Sequence, residues 1–255
     1  MPQISAAGHS LEYAWIEGKE PALVFLHEGL GSIRRWRDLP ARVADATGRR
    51  VLVYDRYGCG DSELLAEARV GVRYLHREAL EALPELLAAL EVRDPVLIGH
   101  SDGASIALIH AGAGHPVRGL ALLAPHVFAE PQGLASIREA RLHFETTDFP
   151  ERMRKYHRDP RRTFYLWNDA WLDPEFERWN IEEYLAPIRC PVLLVQGADD
   201  QFGTLAQLDA IRRQVSGPCE LLVLPQCGHS PSKDQPEKVL TALSGFIGKI
   251  IGTGP

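Results

Sequence analysis

Ser101 stands between Gly99 and Gly103 in the stretch PVLIGHSDGASIALIHA, Pro95 to Ala111. The apolar tetrad ahead of it reads as a short buried strand, and the small and apolar residues behind it as a helix. A serine at the apex of so tight a strand-to-helix turn needs small neighbours two places before and after. There it presents its hydroxyl at a helix N-terminus, where backbone N–H groups can meet developing negative charge. Such a hydroxyl suits a nucleophile, which needs a base, and the base an acid to orient it. PVLLVQGADDQFG places Asp199 and Asp200 directly after an apolar strand, and ELLVLPQCGHSPSKDQP places His229 in a loop after the last strand. In open α/β sheets ligands gather beyond the carboxyl ends of the strands, where all three stretches lie. Together they predict acyl transfer to water: hydrolysis of an ester, thioester or lactone.

The elements that must position these residues follow from the apolar pattern. Strands are expected at Leu11–Ile16, Ala22–Leu26, Val51–Tyr54, Pro95–Ile98, Gly119–Leu123, Val192–Gln196 and Glu220–Leu224. Helices are expected at Ile33–Ala46, Gly71–Glu91 with a kink at Pro84, Ser101–Ala113, Phe202–Val215 and Gln235–Ile251. The alternation predicts the α/β class, a mostly parallel sheet with helices on both faces. Roughly 65 residues separate the strand ending near Ala124 from the one starting near Val192, far more than a crossover needs. We therefore expect a core of residues 1–129 and 186–255 and an inserted helical cap, or lid, over 130–185.

Composition narrows the class. With 255 residues, 45% hydrophobic, 24% charged and a net charge of −6, the chain has the make-up of a globular domain with no basic surplus for nucleic acid. There is no signal-peptide pattern and no apolar run of membrane-spanning length. The four cysteines, Cys59, Cys190, Cys219 and Cys227, have no C-x-x-C spacing, which favours reduced thiols and a cytoplasmic location. No metal or nucleotide motif is present, so no metal and no cofactor are expected, and the expected partner is a small-molecule ester.

The order Ser101, Asp, His229 and the elbow Gly-His-Ser-Asp-Gly resemble the α/β-hydrolase superfamily, in particular small bacterial carboxylesterases of the pimeloyl-carrier-protein methyl ester esterase kind. The resemblance covers the whole chain apart from the cap. It implies the α/β-hydrolase fold, selects Asp200 over Asp199 as the acid three places after the strand-end Gly197, and makes Ser101, Asp200 and His229 the catalytic residues. It matches the family's Asp-x-x-Gly-x-Gly-x-Ser turn with Asp55, Gly58, Gly60 and Ser62, a structural turn, with Tyr57 replacing the usual Arg and Arg56 one place early. The family's oxyanion turn falls on LHEGLGS, with His27 in place and Glu28 where Gly is usual. The implied oxyanion donors are the N–H groups of Gly29 and Asp102, with Leu30 as the alternative to Gly29. His27, Glu28 and Leu30 are implied to border the substrate.

His100 and His126 end strands and are candidates to line the pocket. In the cap, Trp167 and Trp171 sit four apart on one helical face and are expected to form an apolar wall. Cys227 is expected to pack. Ser101 excludes the aspartate-nucleophile dehalogenases and epoxide hydrolases. Carbon–carbon hydrolases, cofactor-free lyases or oxygenases, and slow receptor-like modules share the framework and are the alternatives. One cluster stands apart: ERMRKYHRDPRRTFYLW carries Arg152, Arg154, Lys155, Arg158, Arg161 and Arg162. It is either a solvated helix face or a receiver for an anionic substrate group.

Overall fold

The computed structural model describes residues 1–67 and 69–252. Eight strands, β1 (Gln3–Ala6), β2 (His9–Ile16), β3 (Lys19–Leu26), β4 (Arg49–Tyr54), β5 (Val96–His100), β6 (Gly119–Leu123), β7 (Val192–Gly197) and β8 (Cys219–Leu224), form one sheet in the order β1-β2-β4-β3-β5-β6-β7-β8. β2 pairs antiparallel with β1 and β4, and the remaining pairs are parallel. The expected α/β class and mostly parallel sheet are found. β5 and β6 are buried along their whole length because helices cover both faces, which is why they read as unbroken apolar runs. Alternate residues divide between the two faces. Leu23, Phe25, Val51 and Ile98 pack on one side, against α1 (Leu39–Thr47) and the C-terminal helix; Val24, Leu26, Leu52 and Leu97 pack on the other. Strand β1 was not among the expected strands, since QISA is too short and polar to show a pattern.

The helices depart from expectation where single residues dictate. A 3-10 turn, Ile33–Trp36, stops at Arg37, whose φ of 55° no helix continues, and α1 then starts afresh with Pro40 in its first turn. The stretch expected as one kinked helix resolves into α2 (Tyr74–Arg77), a π-helical turn over Glu78–Ala82 and α3 (Leu83–Ala89). Pro84 has no N–H for the carbonyl four places back, and the wider turn ahead of it accommodates the missing bond. The helix α4 (Asp102–Gly112) follows β5 directly.

Between β6 and β7 the chain leaves the sheet for α5 (Pro131–Thr146), α6 (Phe149–Met153), α7 (Pro160–Trp171) and two 3-10 turns, Pro174–Arg178 and Glu182–Tyr184. Phe144, Met153 and Phe164 form a cluster of their own, with the Phe144 and Phe164 rings stacked at 3.8 Å. Trp171, Phe176 and Trp179 instead join the main core. After β7 come α8 (Ala206–Gln214), α9 (Pro231–Asp234) and α10 (Pro236–Gly252). Helix α8 begins later than expected because the N–H groups of Phe202 and Gly203 are turned toward the Asp200 carboxylate. Ala68 and the last residues of the expected core, 253–255, lie outside the described residues. Among the described residues no helix is long and apolar enough to cross a membrane.

Candidate active site

The tight turn is real and strained. Ser101 has φ 54° and ψ −116°, a conformation L residues rarely adopt. A Cβ on Gly99 would lie 2.5 Å from the Gly103 carbonyl oxygen, so the two glycines do approach as the spacing suggests. Gly103 answers to a different neighbour: a Cβ there would lie 2.0 Å from the carbonyl oxygen of Leu26, at the end of β3. The elbow is thus wedged against the strand that carries the next loop. Asp102 opens α4, so its N–H has no acceptor within the helix.

The structure brings Ser101, His229 and Asp200 into one hydrogen-bonded row. His229 Nε2 is 2.9 Å from Ser101 Oγ, and its Nδ1 is 2.9 Å from both Asp200 oxygens. A carboxylate only accepts, so Nδ1 carries the proton and Nε2 faces the hydroxyl as acceptor. Burial would raise the Asp200 carboxyl, but the hydrogen bond and charge of His229, with the Phe202 N–H and His126, together outweigh it and hold the group below its ordinary range. Asp199 is exposed, its backbone N–H tied to the Cys227 carbonyl. Cys227 is buried, and burial pushes its thiol up to about 11, in keeping with a packing residue.

The loop after β3 is fixed through one carbonyl. The Glu28 oxygen accepts from His27 Nδ1 at 2.7 Å, from an Arg56 terminal nitrogen at 2.9 Å and from the Gly31 N–H at 2.9 Å. In a planar trans peptide the N–H points opposite its carbonyl, so these donors fix the direction of the Gly29 N–H. His27 is therefore not a substrate residue, contrary to expectation. It is fully buried, does not border the cavity, and spends both nitrogens on backbone, Nε2 accepting from the Arg56 N–H at 3.0 Å. Burial, then the Arg56 charge, lower its pKa to about 3, so it stays neutral. A Cβ on Gly29 would lie 2.1 Å from Trp167 Nε1, so a larger residue there must displace that indole.

Both unusual carboxylates are engaged. Asp102 is buried, accepts from the Tyr74 hydroxyl at 2.6 Å and lies 3.7 Å from Arg56, while Trp171 Nε1 donates to the Tyr74 oxygen at 2.8 Å. Glu28 pairs with Arg35 at 3.2 Å and with His100 Nδ1 at 3.6 Å. Burial raises the Glu28 carboxyl, but His100 and Arg35 outweigh it and hold it well below the ordinary range. In return Glu28 lifts His100 above the ordinary histidine value against the opposing effect of burial.

Ser101 opens into a cavity of about 290 Å³ that Gly29, Asp102, Glu28, Leu30, His126, Trp167 and Trp171 all border, as does His100. Ile137 and Phe202 complete its apolar wall. His126 is buried, its ring 5.4 Å from that of His229; burial, then His229, lower its pKa to about 3. The arginines and Lys155 of the arginine-rich stretch do not border this cavity. Arg152 and Arg154 pair with Asp148 and Glu151, and Arg158 and Arg162 donate to the carbonyls of Asp61 and Glu67. Arg158 and Arg162 thereby hold loops, and Arg161 lies over the Phe144 ring at 6.0 Å. Sequence reasoning missed Arg56, Tyr74 and Arg35. Arg56 follows a strand end, a signal that could have found it; Tyr74 and Arg35 carry none. The turn at Asp55 is structural, as expected: the carboxylate accepts from the N–H groups of Ile33 and Asp61, and Ser62 Oγ donates to the Asp55 carbonyl.

A strand order with one antiparallel edge, a serine on a strained strand-to-helix elbow and a histidine after the last strand are the marks of one class of fold. The alpha/beta hydrolase family model matches residues 23–242, and the chain belongs to that family. Proline iminopeptidase of Lactobacillus helveticus is 34% identical over 99 residues, covering 38% of this chain and 33% of that protein. The sn-1-specific diacylglycerol lipase ABHD11 of Mus musculus is 34% identical over 103 residues, 40% of this chain and 32% of that protein. The chain matches about a third of the length of these curated relatives. Among solved structures, a carboxylesterase of Nitrososphaera gargenis superposes with a TM-score of 0.82 at 19% identity, covering 99% of this chain and 100% of that one. An enol-lactonase of Burkholderia xenovorans LB400 superposes with a TM-score of 0.76 at 17% identity, covering 96% and 99%. Likeness at these identities shows the fold, and the family shows a hydrolase.

Proposed function

We propose that this hydrolase cleaves small to medium carboxylic esters, thioesters or lactones through an acyl-enzyme on Ser101. The observation that carries the reading is the row Ser101–His229–Asp200, with both hydrogen bonds at 2.9 Å, beneath a largely apolar cavity. His229 takes the Ser101 proton as Oγ attacks the carbonyl carbon, and the carbonyl oxygen becomes an oxyanion. The N–H groups of Gly29 and Asp102 receive that charge. The tetrahedral intermediate collapses, His229 protonates the departing alcohol, and an acyl-serine is left. Water, deprotonated by His229, then attacks the acyl carbon and releases the acid and free Ser101. Asp200 holds the imidazole tautomer and stabilises the imidazolium. Trp167 and Trp171, on α7, make the insertion over residues 130–185 a lid for the acyl group.

The iminopeptidase relatives make an amide with a free amine the competing substrate. Recognition of that amine needs a free carboxylate in the cavity. Here Glu28 is held by Arg35 and His100 and Asp234 by the Gly228 N–H, while Asp102 gives one oxygen to Tyr74 and keeps the other, Oδ1, unpaired but buried away from solvent. This favours the ester. The test is turnover of p-nitrophenyl acetate and butyrate beside proline p-nitroanilide, with a fluorophosphonate adduct located by mass spectrometry. The expected results are an adduct on Ser101, preference for the esters, and a loss on the order of 10⁴-fold in kcat for Ser101→Ala. A folded Ser101→Ala variant with near wild-type turnover would overturn the mechanism.

A further inference from the structure

The cavity above Ser101 adjoins a second lobe of about 230 Å³, and the two share Glu28, Arg35, His100, Ser230 and Lys233. The chemistry of their walls differs. The first is bounded by Leu30, Ile137, Trp167, Trp171 and Phe202; the second carries Arg35, Arg37, Arg42 and Lys233 around Trp36. Arg42 is committed to Glu237, and Arg35 gives its Nε to Glu28. No ion pair engages Arg37 or Lys233 among the described residues. Trp36 is buried, yet its indole N–H has no hydrogen-bond partner. An unsatisfied buried donor is costly unless something accepts from it. Of the lobe's two carboxylates, Glu28 is already engaged by Arg35 and His100, leaving Asp38 against the free cations. A wall so rich in uncommitted donors and positive charge fits a group that only accepts and is negative.

We propose that this lobe binds a carboxylate carried on the alcohol part of the ester, so that the preferred substrate has an apolar acyl group and an anionic leaving group. The inference rests on the ester reading above. The side is set by His229, which must protonate the leaving oxygen. The lobe lies against it: His100 Nε2 donates to the His229 carbonyl at 2.7 Å, Ser230 is the next residue and Lys233 lies one turn on, in α9. The departing alcohol therefore emerges beside His100 and Lys233, whereas Trp167 of the insertion flanks Gly29 on the acyl side.

The test compares kcat/KM, by proton release, for the acetate ester of hydroxybutyrate with its carboxylate free and for pentyl acetate. A second pair, ethyl hydrogen adipate and ethyl hexanoate, places the carboxylate on the acyl side. We expect the anionic alcohol ester to be preferred about tenfold, the worth of one charge-assisted contact. Arg37→Gln/Lys233→Gln should erase most of that preference, and Lys233→Arg should keep it. Salt raised from about 0.01 M to about 1 M should also erode it, as the screening length falls from roughly 30 to 3 Å. Equal turnover of the two acetates, a preference that survives in the double variant, or a carboxylate preference only in the adipate pair overturns the inference while leaving the ester reading intact. Failure to hydrolyse any of the four esters overturns both.

Discussion

Asp199 and Asp200 are adjacent, but their surroundings are opposite. The Asp200 carboxylate is buried and receives His229 Nδ1 together with the N–H groups of Phe202 and Gly203. Asp199 faces solvent. Asp200→Asn replaces an acceptor with an amide that can present a donor to Nδ1, which disfavours the tautomer that leaves Nε2 free. Its kcat should fall by about 10⁴, whereas Asp199→Asn should stay within about twofold. Steady-state kinetics on an activated ester distinguishes them, and the reverse ranking would remove Asp200 from the mechanism. The same scale governs Gly103. With the Leu26 carbonyl 2.0 Å from where a Cβ would sit, Gly103→Ala must displace backbone. Urea unfolding should show a cost of about 1–3 kcal/mol, with a loss of turnover beyond it because the elbow itself moves.

Elements meet at the elbow through a buried chain of hydrogen bonds. Trp171 of α7 donates to Tyr74 of α2, and Tyr74 donates to Asp102 at the start of α4. The insertion is thereby coupled to the peptide whose N–H is a proposed oxyanion donor. Tyr74→Phe leaves a buried carboxylate with Arg56 at 3.7 Å as its remaining partner and strands the Trp171 N–H. The expected cost is about 1–3 kcal/mol of stability, with kcat falling more than KM rises. Trp171→Phe keeps the packing and the Tyr74–Asp102 bond, so its effect should be smaller, and the double variant should cost less than the sum of the singles. Equal effects for the two single variants would show that the chain carries no such ranking.

At the scale of the whole molecule, buried histidines set the response to acid. Burial is the largest cause that lowers His27 and His126 to about 3 and His110 and His157 to about 4. Unfolding returns each toward about 6.5, so between pH about 5 and 6 the unfolded chain binds up to four protons that the native state does not. Asp55 and Glu78 act in the opposite direction, burial raising both to about 7, so two protons are released on unfolding in the same window. The net uptake is positive, and stability should fall as pH drops below about 6.5, by on the order of 1–3 kcal/mol per pH unit. Urea midpoints at pH values between about 5 and 7.5 would measure it. A midpoint that holds or rises toward acid contradicts the assignment.

Local patterns in the chain determined much of this protein. Strand-turn-helix punctuation around Ser101, acids directly after β7 and a histidine after β8 depend on neighbours a few residues away, and such signals survive in one dimension. So did the alternation of strand and helix, because both faces of a parallel sheet must be covered. The tertiary structure alone decided what long-range packing assigns. It ranked Asp200 over Asp199 by burial, where spacing left both open until a resemblance chose. It turned His27 from the substrate to the backbone, because the Glu28 carbonyl and the Arg56 N–H converge on its ring from two strand ends. It committed Arg152, Arg154, Arg158 and Arg162 to acids and loop carbonyls, and left cationic donors beside Trp36 that no motif marks. A hydrogen bond between residues distant in sequence exists only once the sheet has brought two loops together, and no spacing along the chain encodes it.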